Sequence, residues 1–106
     1  VATWMLEEPT SQRLTEIVAI AMQTPPFVAA LTNETASYVN YEETLKILDG
    51  KIPLYYFVRS EWASAVEEWR QRNTPTATLT HMGRHLMFWE RHEEFNRYFA
   101  SFLAQL

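Results

Sequence analysis

The segment Ile52–Val58 constrains the fold of this chain more than any other, because its seven residues form an uninterrupted apolar run, I-P-L-Y-Y-F-V. The run has the length of a β-strand, but it lacks the apolar–polar alternation of a strand with one face in water. A strand without alternation has both faces buried, which is typical of a parallel sheet covered by helices on each side. The sequence therefore predicts an α/β fold.

A helix and a second strand are predicted directly after this run. Trp62, Val66 and Trp69 recur at the spacing of one helical face, and the helix should end before Pro75. The segment Thr76–Thr80 is then a short β-type run, and an amphipathic helix over residues 91–106 closes the chain. A right-handed crossover through the first of these helices makes the two strands parallel.

In the first 50 residues, the sequence predicts three short helices. The first begins at Glu7–Ser11, which offers carboxylates and hydroxyl caps, and it ends at Pro25. The second covers Phe27–Tyr38, and the third covers Asn40–Leu48 before an Asp-Gly stop. These helices are expected to form a helical subdomain ahead of the strands.

Two strands are too few for the sheet that this pattern implies. An average sheet has ~5–6 strands, and the run at Ile52–Val58 needs neighbours that cover both of its faces. We therefore expect copies of the chain or, preferably, another polypeptide to supply the remaining strands. The opening segment Val1–Leu6 is apolar and has no initiator methionine, which suggests that the chain is a piece of something longer.

Composition excludes several classes of partner. The formal net charge is -4, without the basic stripe of a nucleic-acid-binding protein. The absence of cysteine removes disulfides, thiolate metal sites and thiol nucleophiles. No apolar run approaches the ~20 residues of a membrane span, and no signal peptide is recognisable, so we expect no membrane association and a cytoplasmic location.

The segment that connects the second strand to the last helix carries a histidine in an aromatic setting. His85 is followed by Met87, Phe88 and Trp89, and Gly83 allows a sharp backbone turn just before it. An imidazole with such neighbours at the end of a strand can accept and return a proton near neutral pH. The alternative is a partly buried histidine whose ring is satisfied by a backbone carbonyl.

A metal site is not expected in this segment. His81 and His85 are four residues apart, which on a helix would suit metal binding, but here they belong to a strand and a loop. No third ligand has a suitable spacing. We therefore expect neither a metal nor a cofactor.

The segment Gly83–Phe95, with its form H-x-M-F-W-E, resembles the final segment of α/β-hydrolases, particularly their esterase-like and haloperoxidase-like members. Ile52–Val58 likewise resembles the penultimate strand of that family, which commonly opens with a proline. The resemblance implies that residues 51–106 are the C-terminal part of an α/β-hydrolase core. It also implies that residues 1–50 are a helical cap or lid segment.

The same resemblance implies roles for single residues. His85 matches the family's catalytic histidine, and Glu61 is the only carboxylate on the loop where the family carries its acid. Glu61 is alternatively a first-turn glutamate favoured by the helix dipole, and the acid then comes from upstream of the chain. The residues expected to line the acyl pocket are Met22, Phe27, Met87, Phe88 and Trp89.

The nucleophile is missing, because no G-x-S-x-G motif occurs in the sequence. The resemblance therefore implies the C-terminal half of a serine-dependent hydrolase that acts on a small ester, lactone or related acyl substrate. Its partner is expected to be an N-terminal half that carries the serine. The alternative is a non-catalytic interaction module that forms a homodimer through its aromatic surfaces.

Overall fold

Two parallel strands form the sheet in the computed structural model, which describes residues 3–35 and 40–106. The protein is mixed α/β and mostly helical. Its helices and strands, in chain order, are a 3-10 turn at Thr3–Met5, α1 (Ser11–Ala21), α2 (Pro26–Thr35), α3 (Glu42–Leu48), β1 (Tyr55–Val58), a 3-10 turn at Ser60–Trp62, α4 (Ala63–Asn73), β2 (Thr78–His81), α5 (Met87–Glu90) and α6 (His92–Leu103). The predicted end of the second helix at Tyr38 lies outside the described residues.

The predicted pair of parallel strands is confirmed. Tyr55 lies opposite Thr78, and Val58 lies opposite His81. The ladder extends beyond both strand ends, since the Thr78 amide donates to the Leu54 carbonyl at 2.9 Å and the Met82 amide donates to the Val58 carbonyl at 3.1 Å. β1 begins three residues later than the apolar run.

Helices cover β1 on both faces, as the lack of alternation predicts. From α6, Phe95 packs on Phe57 with ring centroids 4.4 Å apart, and Phe102 packs on Tyr55 at 5.2 Å. From α4, on the opposite face, the Trp69 ring lies 6.4 Å from that of Tyr56. One short helix on each face cannot enclose a strand that has only one neighbour, so only Val58 is buried in β1 and the other three residues are half-buried.

The turn between α4 and β2 is held by Arg70. Its guanidinium donates to the carbonyls of Pro75 at 3.0 Å and Ala77 at 2.9 Å. The same group donates to the Glu67 carboxylate through Nε at 2.8 Å and Nη2 at 2.7 Å. The bonds from Arg70, together with one from Gln71, lower the pKa of Glu67 from 4.5 to about 2.

This depressed pKa predicts an acid-sensitive contribution to stability. The Glu67 carboxylate stabilises the folded state above its unfolded pKa of 4.5, and the contribution disappears as the pH falls from there through about 2. Arg70→Gln removes the main cause, so the pKa of Glu67 should rise toward 4.5 in an NMR titration of its carboxyl carbon. Arg72→Gln, on the same helix, serves as the control and should leave it near 2. A Glu67 midpoint near 4.5 in the parent protein would contradict the assignment.

The N-terminal segment Thr3–Thr10 packs against the part of the chain that follows β2. Leu6 is only 1% exposed, and the Leu86 amide donates to the Met5 carbonyl at 3.0 Å. Thr10 then caps α1, because its hydroxyl oxygen accepts from the Arg13 amide at 3.2 Å. The helix start was expected from the sequence, but the long-range attachment of the segment before it was not.

The helices α1 and α2, which meet at an angle of 87°, have a largely apolar, exposed surface. Every residue from 18 to 34 is exposed, including Ile20, Phe27 and Leu31. In the described ranges no single helix has the length and apolar character needed to cross a membrane. Taken together, α1 and Pro26–Glu34, which are bent by 87° relative to each other, have enough length and apolar character as a pair.

Candidate functional site

The loops that follow β1 and β2 meet at the carboxyl end of the sheet. The Ser60 amide, just after β1, donates to the carbonyl of Gly83, just after β2, at 3.0 Å. Gly83 adopts a φ of 50°, and a Cβ on it would lie 3.3 Å from a carboxylate oxygen of Glu7. The positive φ therefore favours glycine at the turn, and a Cβ there would also push the Glu7 carboxylate away by a few tenths of an ångström. Ligands of open parallel sheets bind at this end of the strands.

His85 lies on this edge with its side chain exposed. Its ring packs against that of Trp4, with centroids 5.3 Å apart. It also lines a cavity of about 270 Å³ whose other lining residues are Phe57, Val58, Arg59, Trp62, Val66 and Met87. No hydrogen bond connects the imidazole to a carbonyl in the described part of the chain, so the alternative of a buried, satisfied histidine does not fit the structure.

Glu61 is engaged by arginines. Its carboxylate accepts from Nε of Arg59 at 2.6 Å and from Nη2 of the same residue, while Nη1 of Arg84 lies 3.8 Å away. No hydrogen bond joins Glu61 to His85, although both residues lie in the described ranges. Glu61 is also an acidic residue of the 3-10 turn that leads into α4, as its alternative interpretation expected. Its assignment as the catalytic acid stays a prediction. In that role, the Glu61 carboxylate would have to leave Arg59 and hydrogen-bond to the His85 imidazole instead.

Arg59 is the residue of this site that the sequence did not single out. Its guanidinium lies 4.4 Å from the centroid of the Trp62 ring and 5.3 Å from that of Trp4. The side chain is only 11% exposed, which strengthens both cation–π contacts. Trp4 thus touches His85 as well as Arg59. The position of Arg59 directly after the apolar strand, with a tryptophan three residues later, is the signal that would have indicated it.

The five residues predicted to line the acyl pocket fall into three groups. Met87 is buried and lines the cavity beside His85. Phe88 and Trp89 line a second, almost wholly apolar cavity of about 370 Å³, together with Met5, Ile17, Ile20, Ala21 and Leu86. Met22 and Phe27 are 79% and 72% exposed and line neither cavity.

The described residues contain no group of three or more histidine, cysteine or acidic side chains placed to hold a metal ion. His81 instead lies with Nδ1 at 3.5 Å from the Ser60 hydroxyl oxygen, and His92 with Nδ1 at 3.2 Å from the Trp89 carbonyl oxygen. Comparison of the chain with protein-family models, with curated proteins and with solved structures gives no match.

Proposed function

We propose that this chain is the C-terminal part of a serine-dependent α/β-hydrolase that cleaves a small ester, lactone or related acyl compound. The observation that carries the proposal is the position of His85. It is an exposed imidazole beside a cavity, on the loop after a parallel strand, with a positive-φ glycine two residues before it. Geometry of this kind suits a general base that must reach a nucleophile outside its own loop.

In this reaction, the chain contributes a proton-transfer group, His85. A serine hydroxyl attacks the acyl carbonyl, and Nε2 or Nδ1 of His85 accepts the hydroxyl proton and then delivers it to the leaving alcohol. An acid orients the imidazole through its other nitrogen, and Glu61 or a carboxylate from upstream fills this role. The serine comes from another polypeptide, since the 106 residues contain no G-x-S-x-G.

The free edge of β1 supports the idea that the sheet continues into that polypeptide. The carbonyls of Leu54 and Val58 accept from β2. Because backbone groups alternate between the two edges of a strand, those of Tyr55 and Phe57 face the opposite edge. No described strand pairs with this edge. A strand of the serine-bearing part would satisfy these groups and would cover the half-buried aromatic side chains of β1.

Exposed apolar side chains support the same conclusion. Large contiguous apolar patches are rare on soluble monomers and mark surfaces that another chain covers. Large apolar side chains are exposed along α6 and just after it, at Tyr98, Phe99, Leu103 and Leu106, and others are exposed at Ile52, Trp62 and Phe88. A homodimer of this chain would also cover them, and it is the outcome against which the proposal is tested.

Affinity purification of the tagged chain, followed by a fluorophosphonate probe for activated serines, tests the proposal. A labelled polypeptide should co-elute at one-to-one stoichiometry, and the modified serine should lie in a G-x-S-x-G peptide. The complex should also hydrolyse p-nitrophenyl butyrate, whereas the chain freed from the partner should not, because it has no nucleophile. A symmetric dimer of this chain, without a labelled serine and without ester turnover, would support the interaction module instead.

A further inference from the structure

Glu90 is a buried carboxylate to which the proposed reaction gives no role. Its side chain is only 4% exposed. It accepts from the amides of Glu7 at 2.8 Å and Glu8 at 3.0 Å, and from Nη1 of Arg13 at 3.1 Å. These donors lie 83, 82 and 77 residues away along the chain. A buried carboxylate is stable only when it is paired and hydrogen-bonded, and here one side chain holds three donors from the N-terminal segment.

The segment that Glu90 holds is the one that reaches the histidine. Immediately before Glu7, Leu6 is buried and the Met5 carbonyl accepts from the Leu86 amide at 3.0 Å. Trp4, one residue earlier, places its ring 5.3 Å from the ring of His85. A short run of backbone therefore connects the carboxylate to the aromatic wall of the imidazole.

A second interaction, between Glu7 and Arg91, holds the same segment. The Glu7 carboxylate accepts from Nε of Arg91 at 2.6 Å and from Nη2 of that residue, and these bonds lower the pKa of Glu7. The Glu7 carboxylate also lies beside the position where a Cβ of Gly83 would be. Glu90 therefore binds the backbone amides of Glu7 and Glu8, and Arg91 binds the side chain of Glu7.

We propose that Glu90 is a positioning residue for His85, because it clamps residues 3–8 against the histidine loop and thereby holds the Trp4 ring on the imidazole. The catalytic consequence rests on the proposed hydrolase function, but the clamp itself does not. Glu90→Gln places an amide NH₂ where the carboxylate accepts hydrogen bonds, and it removes the charge that pairs with Arg13. Arg91 and the buried Leu6 still hold the segment in this variant, so we expect a local displacement that moves the Trp4 ring away from the His85 imidazole.

The direct readout is an NMR cross-relaxation signal between the Trp4 indole and the His85 imidazole, together with the ring-current shift of the imidazole protons. Both should be present in the parent chain and lost in Glu90→Gln. Glu93→Gln is the matched control, because Glu93 is exposed and its carboxylate makes no hydrogen bond or ion pair with the described residues. It should keep both signals. A folded Glu90→Gln variant that keeps them overturns the proposal.

The kinetic readout separates positioning from general destabilisation. In the assembled hydrolase, Glu90→Gln should lower kcat by roughly tenfold to a hundredfold, with KM within about threefold of the parent, because a misplaced base affects the chemical step. Trp4→Leu keeps the clamp but removes the ring, so it should lower kcat by a similar factor, and the double variant should show little further loss. An unchanged kcat in Trp4→Leu overturns the route from Glu90 to His85.

The two proposals can fail separately. If the parent assembly has no esterase activity, the proposed function fails, and the NMR signals still decide the clamp. If Glu90→Gln does not fold, hydrogen exchange in the parent chain decides instead. The Glu7 and Glu8 amides should then exchange far more slowly than those of an unstructured peptide. Exchange at the unstructured rate overturns the clamp.

Discussion

In the hydrolase proposed above, His85→Ala should lower ester turnover by roughly three to six orders of magnitude. Removal of the base leaves the serine hydroxyl without a proton acceptor, and the remaining catalysis comes from substrate binding and the oxyanion hole. The measurement is kcat/KM for p-nitrophenyl butyrate, with thermal unfolding followed in parallel. Because His85 is exposed, its truncation should change the free energy of unfolding by no more than about 0.5 kcal/mol.

His92→Ala is the matched control for this experiment. His92 is also exposed and lies seven residues further along the chain. Its Nδ1 is 3.2 Å from the Trp89 carbonyl oxygen, and it does not line the cavity beside His85. Its replacement should leave kcat/KM within about threefold of the parent, as expected for a surface position outside the site. A His85→Ala enzyme with activity in that same range would exclude His85 as the base.

The strands were predictable because their signals are local. The run Ile52–Val58 indicates burial on both faces by its composition alone, and helices do pack on both sides of β1. The sequence also predicts further strands beside this run, because two strands cannot bury it, and that continuation of the sheet stays a prediction. The extent of burial was not predictable, because it depends on how many strands and helices surround β1, and the half-buried state of Tyr55, Tyr56 and Phe57 follows from one neighbouring strand and one helix on each face.

The location of the histidine was predictable, but its surroundings were not. A glycine turn after a strand places His85 at the carboxyl end of the sheet whatever the side chains nearby do. The pairing of Glu61 depends on which cation the 3-10 turn brings within reach, and Arg59 lies only two residues away. Sequence spacing cannot decide between an arginine and an imidazole as the partner of one carboxylate.

The role of Thr3–Thr10 was not predictable for a related reason. Its partners, Leu86 and Glu90, lie about 80 residues away along the chain, and no periodicity connects the two segments. The sequence also favoured a boundary at residue 50, with everything before it in a cap. In the structure, the first part of that range is bonded to the loop that follows β2.

Leu6→Ala should destabilise the folded chain by about 2–5 kcal/mol. Leu6 is 1% exposed and is among the largest fully buried side chains of the described residues, so its truncation removes apolar burial and leaves a cavity. Urea unfolding followed by far-UV circular dichroism gives the free energy of unfolding. Leu106→Ala makes the same chemical change at a side chain that is 71% exposed, and it should cost less than about 0.5 kcal/mol.

The result also decides where the N-terminal segment belongs. A loss of several kcal/mol in one cooperative transition means that Thr3–Thr10 unfolds together with the sheet and α6, because a separate cap would melt without affecting them. Leu6 then belongs energetically to the unit that carries His85, although it precedes the three helices predicted as a cap. Equal and small effects of Leu6→Ala and Leu106→Ala would instead mean that the segment contributes nothing to the core, and the clamp by Glu90 would have no stable segment to hold.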